Sequence, residues 1–450
     1  MRQWISLGLM GLWVGVSVQG ASAENLAQVY QLAIHNDPSL QAARETYEAQ
    51  KEAVPLALSG VLPSLNLNAN STLNSPQGGD HFNSNGYSLT LTQPLLDLTA
   101  FESLSESYTQ VKQAALTYAM AQQAEVLTVA TDYFGVLQAQ DTVRYATQYL
   151  AQLDQQLAQT KAMYQVGLKA YTDVQTTLAS DESAKASVIS AQSDLDSAKA
   201  VLEALTGTPI HNLAPLAQNF PLTKPSPLSE TQWVSAALQG NLSVQDARLQ
   251  VTLSQQAVTL ARVGNGTIPG YTPTVDLNAG HTYSMSHEDT VSSSQGSALG
   301  ISASVPLFNG GSTWASVNQA QFVLQSSQAS LENTHRQTES QVKQAYLNVL
   351  SDISEVDAYQ QAVISSEASL QASRAAYQAG TVTIVDLLTQ ESDLLSAEQQ
   401  YTAALYRYIT DSLTLKQEAG TLSVQDIDAI NPFLVGSVTQ MPGTPLSTSH

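Results

Sequence analysis

Cysteine is absent from all 450 residues, which excludes a disulfide framework and a lipid anchor on an N-terminal cysteine. Charge is also scarce. Only 12% of residues are charged, and 17 Lys and Arg stand against 38 Asp and Glu, a formal net charge of −21. Such a chain has no electrostatic footprint for nucleic acid and no charge-driven attraction to anionic lipid, whereas an acidic lumen or solvated surface suits it. Past the first residues, no apolar run reaches the roughly 20 residues of a membrane-crossing helix. Arg2, the apolar stretch 5–18 and Ala21-Ser22-Ala23 have the layout of a secretory signal peptide over residues 1–23, so mature sequence is expected from Glu24. No phosphate-binding Walker loop, no H-E-x-x-H and no G-x-S-x-G occurs, and the seven histidines are scattered. Neither an enzyme, a cofactor nor a metal site is expected from these residues. Gly264-Asn265-Gly266 precedes Pro269 and a strand pattern instead of opening a helix, and is read as a turn.

What the chain does have is a repeat. Tyr133, Val136 and Leu137 recur as Tyr346, Val349 and Leu350, each 213 positions later. At the same offset Tyr164, Gln165, Gly167 and Asp173 recur as Tyr377, Gln378, Gly380 and Asp386, and Gly207-Thr208 as Gly420-Thr421. Pro94-Leu95 pairs with Pro306-Leu307 at 212, and Ala43-Arg44 with Ala247-Arg248 at 204. One order of elements stated twice implies a duplicated unit. The expected organisation is a first repeat over 24–208, a Pro-rich linker over 209–230, a second repeat over 231–432 and a disordered tail over 433–450. The linker carries Pro209, Pro215, Pro221, Pro225 and Pro227 and is expected to cross outside the helical packing.

Within each repeat, alternating segments flank a polar loop: Leu65-Asn66-Leu67-Asn68-Ala69-Asn70 with Tyr87-Ser88-Leu89-Thr90-Leu91-Thr92, then Val275-Asp276-Leu277-Asn278-Ala279 with Ile301-Ser302-Ala303-Ser304-Val305. A period of two predicts strands near the length of a tilted membrane strand, four per chain. Two hairpins leave open edges, which lipid does not tolerate, so closure must come from other copies. After each second strand runs an Ala/Gln/Leu/Ser segment, 101–164 and 314–377, with Gly135 its only glycine or proline. These predict helices near 95 Å long that suit side-by-side packing. Both turn back at a glycine, Gly167 and Gly380. Returning helices are expected over 173–205 and 386–415, the first entered through Thr172-Asp173-Val174-Gln175 read as a capping box. They are half the length of the outgoing helices, so the helices at 39–60 and 243–263 are expected to stack on them.

From about Glu24 to Pro432 these features resemble the TolC-like outer-membrane efflux and secretion channels. The resemblance rests on Glu24-Asn25-Leu26 with Gln28-Val29-Tyr30-Gln31, Ala130-Thr131-Asp132-Tyr133-Phe134, the turn from Val166-Gly167 to Thr172-Asp173-Val174-Gln175, and Gly380 to Thr383-Ile384-Val385-Asp386. It implies an α+β membrane protein of the outer membrane extending into the periplasm: a homotrimer with one shared twelve-stranded β-barrel, four strands per chain, continued by a long α-helical barrel. It also implies a passive tunnel gated at its periplasmic tip, working with a periplasmic adaptor and an inner-membrane transporter of RND, ABC or MFS type.

The resemblance places the gate at the two helical turns, on Tyr377, Thr172 and Asp173. The family's arginine falls on Val382 and its glutamine in the first hairpin on Ala162, so two polar links are missing. By the repeat, Lys169 is the counterpart of Val382, and it is expected to supply the cation by pairing with Asp173 or a neighbouring carboxylate. Asp386 matches the first aspartate of the family's entrance ring, and Asp393 lies seven residues on, on the same helical face, where the family's second position falls on Thr389. Three-fold carboxylate rings there predict a cation-preferring pore that binds a trivalent blocker. A periplasmic coiled-coil scaffold or adaptor would share the helical hairpins but not the duplicated strand hairpins.

Overall fold

The computed structural model describes residues 23–435 apart from 76, 78–80, 218–219, 264–271, 288–291 and 308–309. The signal-peptide residues before Ala23 and the turn read at Gly264 lie outside the described residues. Helices α1 (Leu26–Asn36), α2 (Pro38–Lys51) and α3 (Ala53–Ser59) lead into strands β1 (Ser64–Asn74) and β2 (Phe82–Leu96), then helices α4 (Leu98–Gln165) and α5 (Tyr171–Thr206). The order then repeats with α6 (Glu230–Gly240), α7 (Leu242–Val263), β3 (Thr274–Ser286), β4 (Ser292–Ser304), α8 (Ser312–Gln378) and α9 (Ile384–Glu418). Helix α10 (Val424–Ile430) and a 3₁₀ turn close the described chain. No described helix is long and apolar enough to cross a membrane.

One expected helix is broken. The segment read as continuous over 39–60 splits at Glu52 into α2 and α3. Pro55 is the cause, because it has no N–H to give Lys51 and its ring clashes with that carbonyl. The corresponding α7 contains no proline and runs unbroken. Asp97 starts α4 by accepting the N–H groups of Thr99 and Ala100, and its 68 residues span about 100 Å. Helix α8 has 67 residues. As expected, shorter helices stack to match them: α1, α2 and α3 pack on α4 beside α5, and α6 and α7 pack on α8 beside α9.

The four strands form one antiparallel sheet in the order β1-β2-β3-β4. At 11 residues β1 has the expected length, and β2, β3 and β4 exceed it at 15, 13 and 13. The register aligns Leu65, Leu91, Ala279 and Leu299 in one row and Leu67, Leu89, His281 and Ser297 in the next. Odd-numbered positions thus build an apolar face on which Leu67, Leu299 and Ile301 stand 68%, 76% and 70% exposed. Even-numbered positions, among them Asn66, Asn68, Thr90, Ser88, Asn278 and Ser302, build a polar face on the other side. Pro94, which cannot donate to a ladder, sits at the register shift between β2 and β3. Among the described residues, the outer edges of β1 and β4 pair with nothing.

The main core lies midway along the long helices. Val126, Val129, Ala130, Tyr133 and Leu137 of α4 recur at helical spacing and meet Leu26, Val29 and Ala33 of α1, with Tyr346 and Val349 of α8 and Tyr406 and Ile409 of α9 in the same cluster. The linker is not a loose crossing. Ile210, Leu213 and Ala214 are buried in this core, Leu213 pairs with Glu24, and Tyr133 Oη donates to Ala214 O at 2.8 Å. The start of the segment read as a disordered tail is ordered. Leu434 pairs with Leu216, and the Phe433 ring packs edge-on against Phe220. Residues 436–450 lie outside the described residues.

Candidate functional site

The two long helices end in the same turn. Gly167 and Gly380 both adopt φ +75°, a conformation that favours glycine. Leu168 N–H donates back to Met163 O at 2.8 Å and Thr381 N–H to Ala376 O at 2.9 Å, the six-residue closure of a Schellman motif. These turns lie a full long helix away from the strands, so in any tube they form the mouth opposite the barrel. Re-entry into helix differs between the halves. Thr383 caps α9 in a true capping box: its hydroxyl takes the Asp386 N–H at 3.2 Å while Asp386 Oδ2 takes the Thr383 N–H at 2.9 Å. The first half has no such box, contrary to the reading of Thr172-Asp173-Val174-Gln175. Helix α5 starts earlier, at Tyr171, and its N-cap is Ala170, which has no side-chain acceptor. Thr172 is therefore an exposed residue of the first turn, and Asp173 follows as the acidic residue of that turn.

Lys169 does not pair with Asp173. Among the described residues it makes no ion pair; its Nζ lies 4.1 Å from the centroid of the Tyr377 ring. The correction has a geometric reason. Lys169 stands in the turn of one hairpin and reaches across to the other, whereas Asp173 is on its own hairpin at the positive end of α5. Tyr377 is 7% exposed and packs with Leu153, Ile384 and Leu387, and its hydroxyl has no partner among the described residues. Val382 packs against that same cluster. Ala162 is exposed on α4. Within one chain Tyr377 is thus brought together with Lys169, and not with Thr172 or Asp173.

Asp386 and Asp393 are both exposed on α9, two turns apart or about 10 Å along the axis. The Thr383 hydroxyl and N–H hold the Asp386 carboxyl below the usual carboxylate range, so it stays ionised as the medium turns mildly acidic. Asp393 Oδ2 accepts from Gln390 Nε2 at 3.5 Å.

The sequence reading missed Arg374. Its Nη2 donates to Gln152 Oε1 on α4 at 2.9 Å and to the buried Glu391 on α9 at 3.2 Å, tying three helices together just inside the mouth. Burial raises the Glu391 carboxyl while Arg374 lowers it. A signal existed, since in a chain with 17 cations an arginine within an Ala/Ser/Gln helix is itself unusual. Arg374, Glu391, Tyr377 and Lys169 line a cleft of 570 Å³ with glutamines of α4.

The model of the family described as outer membrane efflux protein matches residues 29–208 and 233–421, one span in each repeat. The chain belongs to this family. It is 33% identical over 454 residues to the outer membrane protein TolC of Escherichia coli K12, covering 96% of this chain and 90% of the relative. It is 29% identical to the alkaline protease secretion protein AprF of Pseudomonas aeruginosa, covering 96% and 92%. Among solved structures, the CmeC outer membrane channel of Campylobacter jejuni superposes with a TM-score of 0.76 at 17% identity, over 92% of this chain and 90% of that one. The protein is accordingly an outer-membrane channel of tandem-repeat α+β fold, the four strands belonging to a shared barrel and the long helices continuing it.

The two tip helices make opposite predictions for one substitution. Thr383→Ala removes an N-cap and should weaken the first turn of α9 by about 0.5–2 kcal/mol, whereas Thr172→Ala should leave α5 unchanged. Hydrogen exchange at the start of each helix reads this directly; equal effects at both would contradict the capping assignment.

Proposed function

We propose that three copies of this chain form the exit duct of an export machine: a twelve-stranded barrel in the outer membrane and a helical tunnel whose mouth is the ring of turns at Gly167 and Gly380. A periplasmic adaptor and an inner-membrane transporter of RND, ABC or MFS type deliver cargo to that mouth. The observation that carries the reading is the placement of two like hairpin turns in each chain a full long helix away from a sheet with two open edges. Efflux of small molecules is the first reading, from the family. Protein export is the second, favoured by the AprF relative, whose name assigns it to protease secretion.

The gate in this reading is held by the contact of Lys169 with Tyr377, assisted by Arg374, in place of the links that Val382 and Ala162 cannot make. A cation over an aromatic face contributes about 0.5–2 kcal/mol depending on desolvation, and three-fold repetition multiplies the bias on an equilibrium near balance. Thr172 and Asp173 then face neighbouring copies at the mouth. Asp386 and Asp393, each repeated three times around the axis, concentrate cations there.

Single-channel recording of the purified protein in planar bilayers tests both parts. Lys169→Ala should raise open probability several-fold, while Lys169→Arg, which keeps the cation over the ring, should not; an unchanged Lys169→Ala channel contradicts the clamp. Asp386→Asn should lower cation selectivity and weaken block by a trivalent cation. Wild-type selectivity should persist at pH 5, because the Asp386 carboxyl is held below its usual range. Loss of selectivity at pH 5 or an unaltered Asp386→Asn pore contradicts the ring.

A further inference from the structure

The duplication supplies an internal comparison at the corner where the first helix of each repeat bends into the next. In the first half Asp37 makes that corner, its carboxylate oxygens accepting the N–H groups of Ser39 at 3.1 Å and Leu40 at 2.9 Å. In the second half Asn241 does the same, 204 positions later, its Oδ1 accepting from Ser243 at 2.9 Å and Val244 at 3.2 Å. Each corner is pressed against a long helix. The residue that α4 presents to Asp37 is Glu125, and 213 positions later α8 has Thr338, which lines the same cleft as Asn241. All four residues are buried, Asp37 and Glu125 at 6%, Asn241 at 7% and Thr338 at 2% exposure. One architecture therefore holds two carboxyl groups in the first half and an amide with a hydroxyl in the second.

Two carboxylates in a dry corner cannot both carry charge at low cost. Asp37 is committed as an acceptor, since both its oxygens take backbone donors. Glu125 Oε1 has no hydrogen-bond partner as a carboxylate, but once protonated Glu125 can donate to Asp37. The titratable groups acting on Glu125 and its neighbours are Asp37 from the corner, Tyr30 of α1, and Tyr118 and Asp132 along α4. Among the described residues, none of these is a cation.

We propose that Asp37 and Glu125 form a proton-operated joint, present in the first repeat only, which clamps the α1–α2 corner onto α4 when Glu125 is protonated and loosens it when the proton leaves. Burial, the Asp37 charge, the hydrogen bond to Asp37 and the charge of Asp132 together push the Glu125 carboxyl up to about 7 from an ordinary 4.5. The sign follows from that direction. A carboxyl raised in the folded state contributes stability that is fully present below pH 4.5 and is lost as pH rises through about 7. At the matching positions the second repeat has Asn241 and Thr338, which do not titrate, and the one carboxyl in that cleft is Glu418, raised by burial without a second carboxyl at the corner. Each closed ring of helices would thus alternate corners with and without a carboxyl pair.

Hydrogen exchange of the full-length, detergent-solubilised channel at pH 6 and pH 8, corrected for intrinsic rates, tests this with the chain as its own control. Peptides covering 26–51 should open about tenfold more at pH 8 than at pH 6, the ratio expected for one group moved from 4.5 to 7. Peptides covering 242–263, whose corner lacks the carboxyl pair, should change by a smaller ratio. Glu125→Gln, which donates at any pH, should abolish the difference; Asp37→Asn, which copies the second repeat, should do the same if the glutamine variant fails to assemble. Asp411 on α9, raised to about 6 mainly by burial and by Asp352, titrates in separate peptides and does not confuse the readout. Equal exchange of 26–51 at both pH values, or a tenfold ratio surviving in Glu125→Gln, overturns the proposal.

Discussion

Among the described residues of one chain, the outer N–H and C=O groups of β1 and β4 have no partner, and the sheet they bound has one apolar face and one polar face. In water such edges would bond solvent. In hydrocarbon each unpaired group costs several kcal/mol, and no solvent is present to relieve it. A four-stranded sheet is therefore not a complete object in a membrane: the polar row of Asn, Ser and Thr must face an enclosed aqueous space, and β1 of one copy must meet β4 of the next. The rest of the architecture follows from that closure. A sheet that closes only with other copies places the long helices leaving β2 and β4 around the same axis, and their tips meet at the far end.

Duplication makes the two halves alike in shape and leaves them free to differ in chemistry. Their tips share the Gly167 and Gly380 turns, yet only the second carries a capping box, and only the first carries Lys169. Their corners share a capped bend, with carboxyl groups in one and neutral groups in the other. In both places the fold is fixed by backbone conformation and apolar packing, and the polar residues vary within it. At the tip, Val382 joins the apolar cluster around Tyr377, and Lys169 of the other hairpin sets its cation over the Tyr377 ring.

Much of this was legible in the residues. The offset of 213, the period-two rows of Leu65-Leu67 and Leu89-Leu91, and the glycines at the turns are dictated by local periodicity and backbone freedom, and they led to four strands and two helical hairpins. Two of the failures share one physical origin. The partner of Lys169 lies more than 200 positions away on another hairpin, and the three-helix tie of Arg374 joins residues from α4, α8 and α9, so no local pattern reveals either. The capping box at Thr172 failed because the helix begins earlier, at Tyr171. The break at Glu52 was foreseeable from Pro55, and the burial of Ile210, Leu213 and Ala214 was hidden by the prolines that surround them.

Edge closure is the claim on which the rest depends, and the number of chains in the detergent-extracted complex tests it most directly. Native mass spectrometry should find three copies, with no monomer surviving unless the barrel is denatured. A stable monomer, or a complex of any other number of chains, would contradict the account.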